Sequence, residues 1–316
     1  MNEYVFGPVP SRRLGRSLGI DLLPLKTCSF NCVYCQVGRT TCLTVERKEW
    51  APTGPVLEQV KQKIAGPVKP DVITFSGSGE PTLNSGIGEI IRGIKSFTEI
   101  PVVVLTNGSL LWMPEVRRDL LEADIVVPSL DAGTENLFRY VNRPHPEISF
   151  ERLVEGTVQF REEYKGQIWL EVFLMGGVTA MESEVEKMAA IARRIRPDRI
   201  QLNTVTRPPT EEYAYSVPEE RMRHFATFFE PEADVIGGHS STSEVTGPAG
   251  GSEEILALVR RRPCTLDDIA DGLAMNRNVV MKYADRLISE GHLHHKVQDS
   301  RIYYWAAEES PKKNEA

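Results

Sequence analysis

From Ser17 to about Ile236, short apolar runs alternate with longer amphipathic windows, and that alternation leaves few folds open to the chain. The runs Ser17–Leu23, Val72–Ser76, Pro101–Thr106, Ile125–Pro128, Ile168–Leu174 and Arg199–Leu202 read as strands. Between them, Val56–Ile64, Gly88–Phe97, Met113–Glu122, Phe150–Tyr164, Ser183–Arg194 and Pro218–Phe229 read as helices, several opened by Pro, Ser or Thr. Repeated strand–helix units predict an α/β fold around a parallel sheet. Periodicity alone leaves closure and strand order open.

The 316 residues exceed what one compact core usually organises, so a second unit is expected. Residues 239–252 are rich in Ser, Thr and Gly with little to bury, which predicts a linker after a first domain of residues 1–238. Beyond it, Glu253–Arg261, Leu266–Leu273 and Asn278–Glu290 read as helices, the second capped by Thr265 in a Thr-x-x-Asp pattern. His292–Lys296 and Arg301–Trp305 flank Gln298-Asp299-Ser300 as a hairpin. This order is similar to a winged helix-turn-helix over residues 253–306. Ile255, Leu258, Ile269, Leu273, Val280, Tyr283, Leu287 and Tyr304 would form its core, and residues 307–316 a polar tail.

The chemistry is concentrated in Cys28-Ser29-Phe30-Asn31-Cys32-Val33-Tyr34-Cys35. Three thiolates at this spacing can converge on one inorganic centre and leave one metal corner open. Iron–sulfur clusters normally take four Cys ligands, so a three-Cys loop predicts a cubane whose fourth iron binds a small molecule. Zinc is the alternative, but a structural zinc takes four closed ligands, and no His or second Cys pair lies close by. Five Cys, three of them clustered, fit metal binding in a reducing compartment better than a disulfide framework. Cys42 and Cys264 are expected to be buried thiols. No apolar run reaches the ~20 residues of a membrane helix, and the first residues do not read as a signal peptide. A cytoplasmic protein with no membrane partner is expected, sensitive to oxygen and suited to anaerobic conditions.

The Cys motif, with Tyr34 just before its third Cys, resembles the signature of the radical S-adenosylmethionine (radical SAM) superfamily. The resemblance covers roughly residues 4–236 and points to iron–sulfur oxidoreductases related to the tRNA wyosine-forming enzymes. It implies a partial (β/α)6 barrel and one [4Fe–4S] cluster held by Cys28, Cys32 and Cys35. It also implies S-adenosylmethionine bound to the unique iron, and an external electron donor of flavodoxin or ferredoxin type. The implied activity is reductive cleavage of S-adenosylmethionine to a 5′-deoxyadenosyl radical that abstracts hydrogen from a substrate. Ser76-Gly77-Ser78-Gly79-Glu80-Pro81 resembles the Gly-Gly-Glu-Pro motif that holds the cofactor's amino group, with Ser78 in place of the first glycine. By the same resemblance Tyr34, Asn107, Ser129 and Asp131 lie near the cofactor, and Arg143 offers a fork for its carboxylate.

On the substrate side, Glu171, Asn203, Thr204 and Arg207 would point to the barrel mouth if the strands are right. The net charge of −7 argues against binding nucleic acid by charge alone. Residues 1–50 carry a local excess of positive charge, read either as a basic rim for an anionic substrate or as a solvated surface. The C-terminal unit has eight Lys or Arg and eight acids, so DNA is not its expected partner. His292, His294 and His295 are expected to be exposed hairpin residues. The substrate stays open between tRNA, a peptide or protein (including a glycyl-radical enzyme) and a small anionic molecule. An iron–sulfur redox-sensing regulator is the non-enzymatic alternative.

Overall fold

A computed structural model describes residues 3–11, 13–236, 251–273, 275–298 and 301–307. The chain divides into two compact units, residues 1–239 and 240–316.

The first unit opens with β1 (Val5–Ser11) and β2 (Gly15–Ile20), followed by the two-residue strands β3 (Thr27–Cys28) and β4 (Cys42–Leu43). Then come α1 (Thr53–Ala65), β5 (Val72–Phe75), α2 (Ile87–Lys95), β6 (Val102–Thr106), α3 (Pro114–Leu120) and β7 (Ile125–Leu130). It continues through α4 (Glu135–Asn142), α5 (Phe150–Glu163), β8 (Gln167–Leu174), α6 (Glu182–Ile195), β9 (Arg199–Thr204), α7 (Glu219–Ala226) and β10 (Asp234–Val235). Eight strands form one sheet in the order β1-β2-β5-β6-β7-β8-β9-β10, parallel throughout except for β1. All six strands expected from the sequence are present. The α/β fold with a mostly parallel sheet is consistent with a partial (β/α)6 barrel.

Strand alternation divides the core. On one face Ile73, Phe75, Val102, Val104, Val126 and Ile168 are buried with helical residues such as Val56, Ile90 and Val116. Further along the same face, Leu170, Val172, Ile200 and Leu202 are buried with Val185, Met188 and Phe225. The alternate residues Val72, Val103, Val127 and Trp169 form a separate cluster with Leu14. Deeper along the strands this inner face turns polar: Ser17 Oγ donates to Thr74 Oγ1 at 2.7 Å. Arg13, in the β1–β2 turn, pairs with Glu171 on β8 and donates to Gln201 on β9 at 3.0 Å. One side chain thus joins strands far apart in the sheet order, which requires the sheet to curl around its inner face.

β1 falls outside the sequence reading because Val5-Phe6-Gly7-Pro8-Val9-Pro10 carries two prolines. An edge strand tolerates them, and the register shifts between Phe6 and Val9. The Phe6 ring lies where a Cβ on Gly19 would stand, 2.1 Å from its Cζ, so the glycine admits the ring.

In the second unit, α8 (Ser252–Val259), α9 (Leu266–Gly272) and α10 (Arg277–Ser289) precede the antiparallel pair β11 (Leu293–Gln298) and β12 (Arg301–Ala306). Thr265 and Asp268 exchange side-chain and backbone hydrogen bonds at 3.0 Å, a reciprocal cap. Ile255, Leu258, Ile269, Val280, Leu287 and Tyr304 are buried as expected, and Leu273 and Tyr283 half-buried. α8 begins at Ser252, the last residue of the expected linker. The rest of that linker except Gly251, the tail from residue 308, and Asp299 and Ser300 lie outside the described residues. His292, His294 and His295 are exposed. Among the described residues no helix is long and apolar enough to cross a membrane.

Candidate functional site

The chain leaves β2 at Ile20 and turns through Lys26, a non-glycine residue at φ 61°, into β3 and the cysteine loop. The loop is fastened on two sides. The end of α4 accepts from it through Asn31 N to Asn142 O at 3.0 Å and Val33 N to Val141 O at 2.9 Å. The loop after β9 reaches it through Glu211 N to Val33 O at 2.9 Å and Thr210 Oγ1 to Cys35 O at 2.8 Å.

All three thiols are free and half-buried, and each faces a different N–H donor. Asn107 Nδ2 lies 3.7 Å from Cys28 Sγ, Asn142 Nδ2 3.5 Å from Cys32 Sγ and Lys26 Nζ 3.3 Å from Cys35 Sγ. Burial, with the Glu80 carboxylate adding to it, pushes the Cys28 thiol up to about 12. Burial and then Asp131 likewise push Cys32 well above the ordinary thiol range. Thiols in such a pocket stay protonated until a cation compensates them, as metal binding does when it displaces their protons. Among the described residues no three His, Cys, Asp or Glu side chains converge as ligands of a single ion.

After β5, Ser78 is tied to Asp21 through its amide at 3.0 Å and its hydroxyl at 2.6 Å. Gly79 presses its backbone on β3, where an added Cβ would lie 1.8 Å from Thr27 O. Buried Glu80 accepts from Thr82 N and Oγ1 at 3.1 and 2.6 Å, Thr106 Oγ1 at 2.7 Å and Asn107 N at 2.7 Å. This carboxylate braces the ends of β5 and β6 together, a structural duty that the motif resemblance did not disclose.

Beyond β7, Asp131 Oδ2 accepts from Tyr34 OH and from Asn142 Nδ2, each at 2.5 Å. Tyr34 stacks on Phe173 with ring centroids 3.8 Å apart. Asp131 Oδ1 and Asn142 Oδ1 are buried without a partner. Two orphaned acceptors beside three thiols are what a bound donor-bearing ligand would satisfy, so the residues present fit the expected cluster and cofactor. Burial, opposed by the hydrogen bonds from Tyr34 and Asn142, pushes the Asp131 carboxyl up to about 6.

The other expected site residues lie after α4, on β7, β8 and β9, and in the loop after β9. Arg143, at φ 44° after α4, donates to Glu211 at 2.7 Å and to Tyr213 OH at 3.0 Å, so its fork already holds protein partners. Glu171 faces the interior but is paired with Arg13. Ser129 is half-buried in register with Glu171. Asn203 accepts from Thr204 N at 3.0 Å, and Thr204 Oγ1 donates to Leu174 O at 2.8 Å. Buried Arg207 reaches Gln36 at 3.4 Å. Cys264 is buried as expected, but Cys42 is exposed because the short β4 carries it past Thr27 at the surface. Sequence reasoning missed Lys26, Asn142 and Phe173. A signal existed for the first, the one Lys or Arg between Arg16 and Arg39.

Residues 22–191, more than half of the chain, match the Radical SAM superfamily. The chain is 33% identical over 318 residues to a UPF0026 protein of Methanocaldococcus jannaschii, an alignment covering 98% of each. It belongs to the radical SAM superfamily and, within it, to the UPF0026 proteins. It is also 37% identical over 308 residues to a Brachyspira hyodysenteriae protein called GTPase Obg, covering 96% of this chain but 45% of that one. The chain thus spans less than half the length of that relative, and its own sequence has no G-x-x-x-x-G-K-[ST] phosphate loop. Among solved structures, TYW1 with a lysine-pyruvate adduct bound shares the fold at TM-score 0.52 and 17% identity, over 72% of this chain and 76% of that one. The protein is accordingly a radical SAM enzyme that works with a [4Fe–4S] cluster and S-adenosylmethionine, and the reading as a non-enzymatic regulator falls.

Proposed function

We propose that Cys28, Cys32 and Cys35 hold a single [4Fe–4S] cluster and that the pocket between Gly79, Asp131 and Tyr34 holds S-adenosylmethionine for hydrogen abstraction from a polypeptide. The observation that carries the site is the pair of orphaned buried oxygens, Asp131 Oδ1 and Asn142 Oδ1, beside three free thiols. A cluster held by these three cysteines would supply one electron for reductive cleavage of the cofactor. The protein's own part is positioning and exclusion of water. Asp131 offers its free oxygen to a hydroxyl or ammonium, and the Tyr34–Phe173 stack walls the site with apolar surface. The strap of residues 205–214 packs on the cysteine loop, with Val205 and Ala214 buried against Val33 and Val141.

In this reading the C-terminal unit is a winged helix-turn-helix that receives the substrate. Its balanced charge disfavours nucleic acid. Its exposed apolar side chains favour a polypeptide: Val297 and Ile302, paired across the hairpin, are 63% and 45% exposed. An external one-electron donor of flavodoxin or ferredoxin type completes the cycle.

The test is anaerobic reconstitution of the protein and of Cys28→Ala, Cys32→Ala and Cys35→Ala. The wild type should bind one cluster and, with dithionite, slowly release 5′-deoxyadenosine and methionine without substrate. Each substitution should abolish both. About eight irons per chain, or a cluster that survives any of the three changes, would overturn the ligand assignment. S-adenosylhomocysteine as the only product would overturn the reaction.

A further inference from the structure

We propose that Lys26 and Asn107, by donating to separate ligand sulfurs, raise the reduction potential of the cluster into the range of a cellular donor. The inference rests on Cys28, Cys32 and Cys35 being the cluster ligands.

Lys26 is a lysine only 6% exposed. Its backbone is fixed by the left-handed turn, its amide donating to Ser78 O at 3.0 Å and its carbonyl accepting from Thr41 N and Cys42 N at 3.1 Å. The side chain is thereby aimed at the thiols. Nζ lies 3.3 Å from Cys35 Sγ. Among the described residues it has no carboxylate partner, although the other lysines and arginines of the cysteine-loop region have them. A buried ammonium is costly unless an opposite charge accompanies it. Three thiolates around iron supply that charge.

Asn107 is equally constrained. Its Oδ1 accepts from Ser109 N at 2.9 Å, and its Nδ2 donates to Ser29 Oγ at 2.8 Å while facing Cys28 Sγ at 3.7 Å. Reduction adds one negative charge to the cluster, so a nearby cation or N–H donor stabilises the reduced form more than the oxidised one. Hydrogen bonds to the sulfurs and local charge are the levers by which proteins set such potentials. Asn142, the donor to Cys32, also holds Asp131 and cannot isolate this effect.

The experiment is a redox titration of anaerobically reconstituted protein, followed by the electron paramagnetic resonance signal of the reduced cluster, with iron content measured in parallel. Lys26→Met keeps the length of the stem and removes the charge. It should load iron as the wild type does and lower the equilibrium constant for reduction about tenfold, which is about 59 mV for a one-electron couple. Lys26→Arg should stay within about threefold of the wild type, and Asn107→Ala should lower the constant about threefold. Lys26→Met with full iron and an unshifted or raised potential overturns the proposal. If Lys26→Met loads no iron, Asn107→Ala decides, and an unchanged potential there overturns it. A cluster that survives Cys28→Ala would instead refute the ligand assignment, so the two failures are told apart.

Discussion

Replacing Asp131 by asparagine should make the protein more stable and its cofactor site worse. Asp131 is buried, and its two hydrogen bonds fall on one oxygen, leaving Oδ1 without a partner. Burial pushes its carboxyl from the ordinary 3.8 to about 6. A carboxylate raised in this way favours folding only while protonated. Its contribution is fully present below the unfolded value and lost as pH rises through the folded one. Above pH 6 the buried charge therefore destabilises the fold, by on the order of 3 kcal/mol. Asparagine removes that charge and still accepts from Tyr34 and Asn142. Its NH2 must then lie on the Oδ1 side, unpaired, which costs about 1–2 kcal/mol. A gain of about 1–2 kcal/mol should remain at pH 8, or roughly 2–8 °C in Tm.

The assay is anaerobic thermal unfolding of the apoprotein between pH 4 and 8. The advantage of Asp131→Asn should shrink as pH falls from 6 towards 4 and reverse near the lower end, where both side chains are neutral. In equilibrium dialysis at pH 8, with the cluster loaded, the same variant should bind S-adenosylmethionine about tenfold more weakly, the worth of one hydrogen bond to a charged group. A variant less stable than the wild type at pH 8, or a stability difference independent of pH, would refute this account of the carboxyl. Unchanged cofactor affinity would remove Asp131 from the site.

Gly79→Ala should cost most of the bound iron, because the new Cβ would stand 1.8 Å from Thr27 O and must displace the strand that carries Cys28. Gly38→Ala, with nothing within 4 Å but φ +96°, should keep its iron and lose about 1 kcal/mol of stability; equal iron content in the two would refute the packing argument. A chain ending at Gly238 should keep the cluster and uncoupled cofactor cleavage but lose turnover on its polypeptide. Loss of the cluster on truncation would assign the C-terminal unit a structural role.

Six strands of the sheet were legible because they are largely buried runs rich in β-branched residues, as parallel strands require, whereas β1 carries two prolines and β10 has only two residues. The chemistry was legible where the chain itself sets the spacing, as in Cys28–Cys35 and Ser76–Pro81. What escaped is what depends on contacts across the fold. Glu80 stands out in its motif, but the hydrogen bonds it accepts from Thr106 and Asn107, on β6 and its following loop, cannot be read from the motif. Arg143 looks like a carboxylate fork, and only the loop after β9 brings Glu211 and Tyr213 to occupy it. α4 was missed because eight residues, opened by Thr134 without a side-chain cap, give a weak local signal.

The excess of Lys and Arg in residues 1–50 reads either as a rim for an anionic substrate or as a solvated surface, and the fold supplies most of them with carboxylates. Arg13 meets Glu171, Arg16 meets Asp71, Arg39 meets Glu211, Arg47 meets Asp119 and Lys48 meets Glu46. Arg12 lies outside the described residues. Lys26 faces sulfur instead. Among the described residues, the carboxylates of Glu80 and Asp131 lie near the three thiols, and Lys26 is the cation that faces a thiol directly. In the proposed reading a bound cluster would bring positive iron to the cysteines, and the cofactor's cationic groups would suit a pocket containing the Asp131 carboxyl. An acidic pocket that favours a cationic cofactor also repels a strongly anionic substrate, which is why the substrate proposed here is a polypeptide rather than a nucleic acid or a small anion.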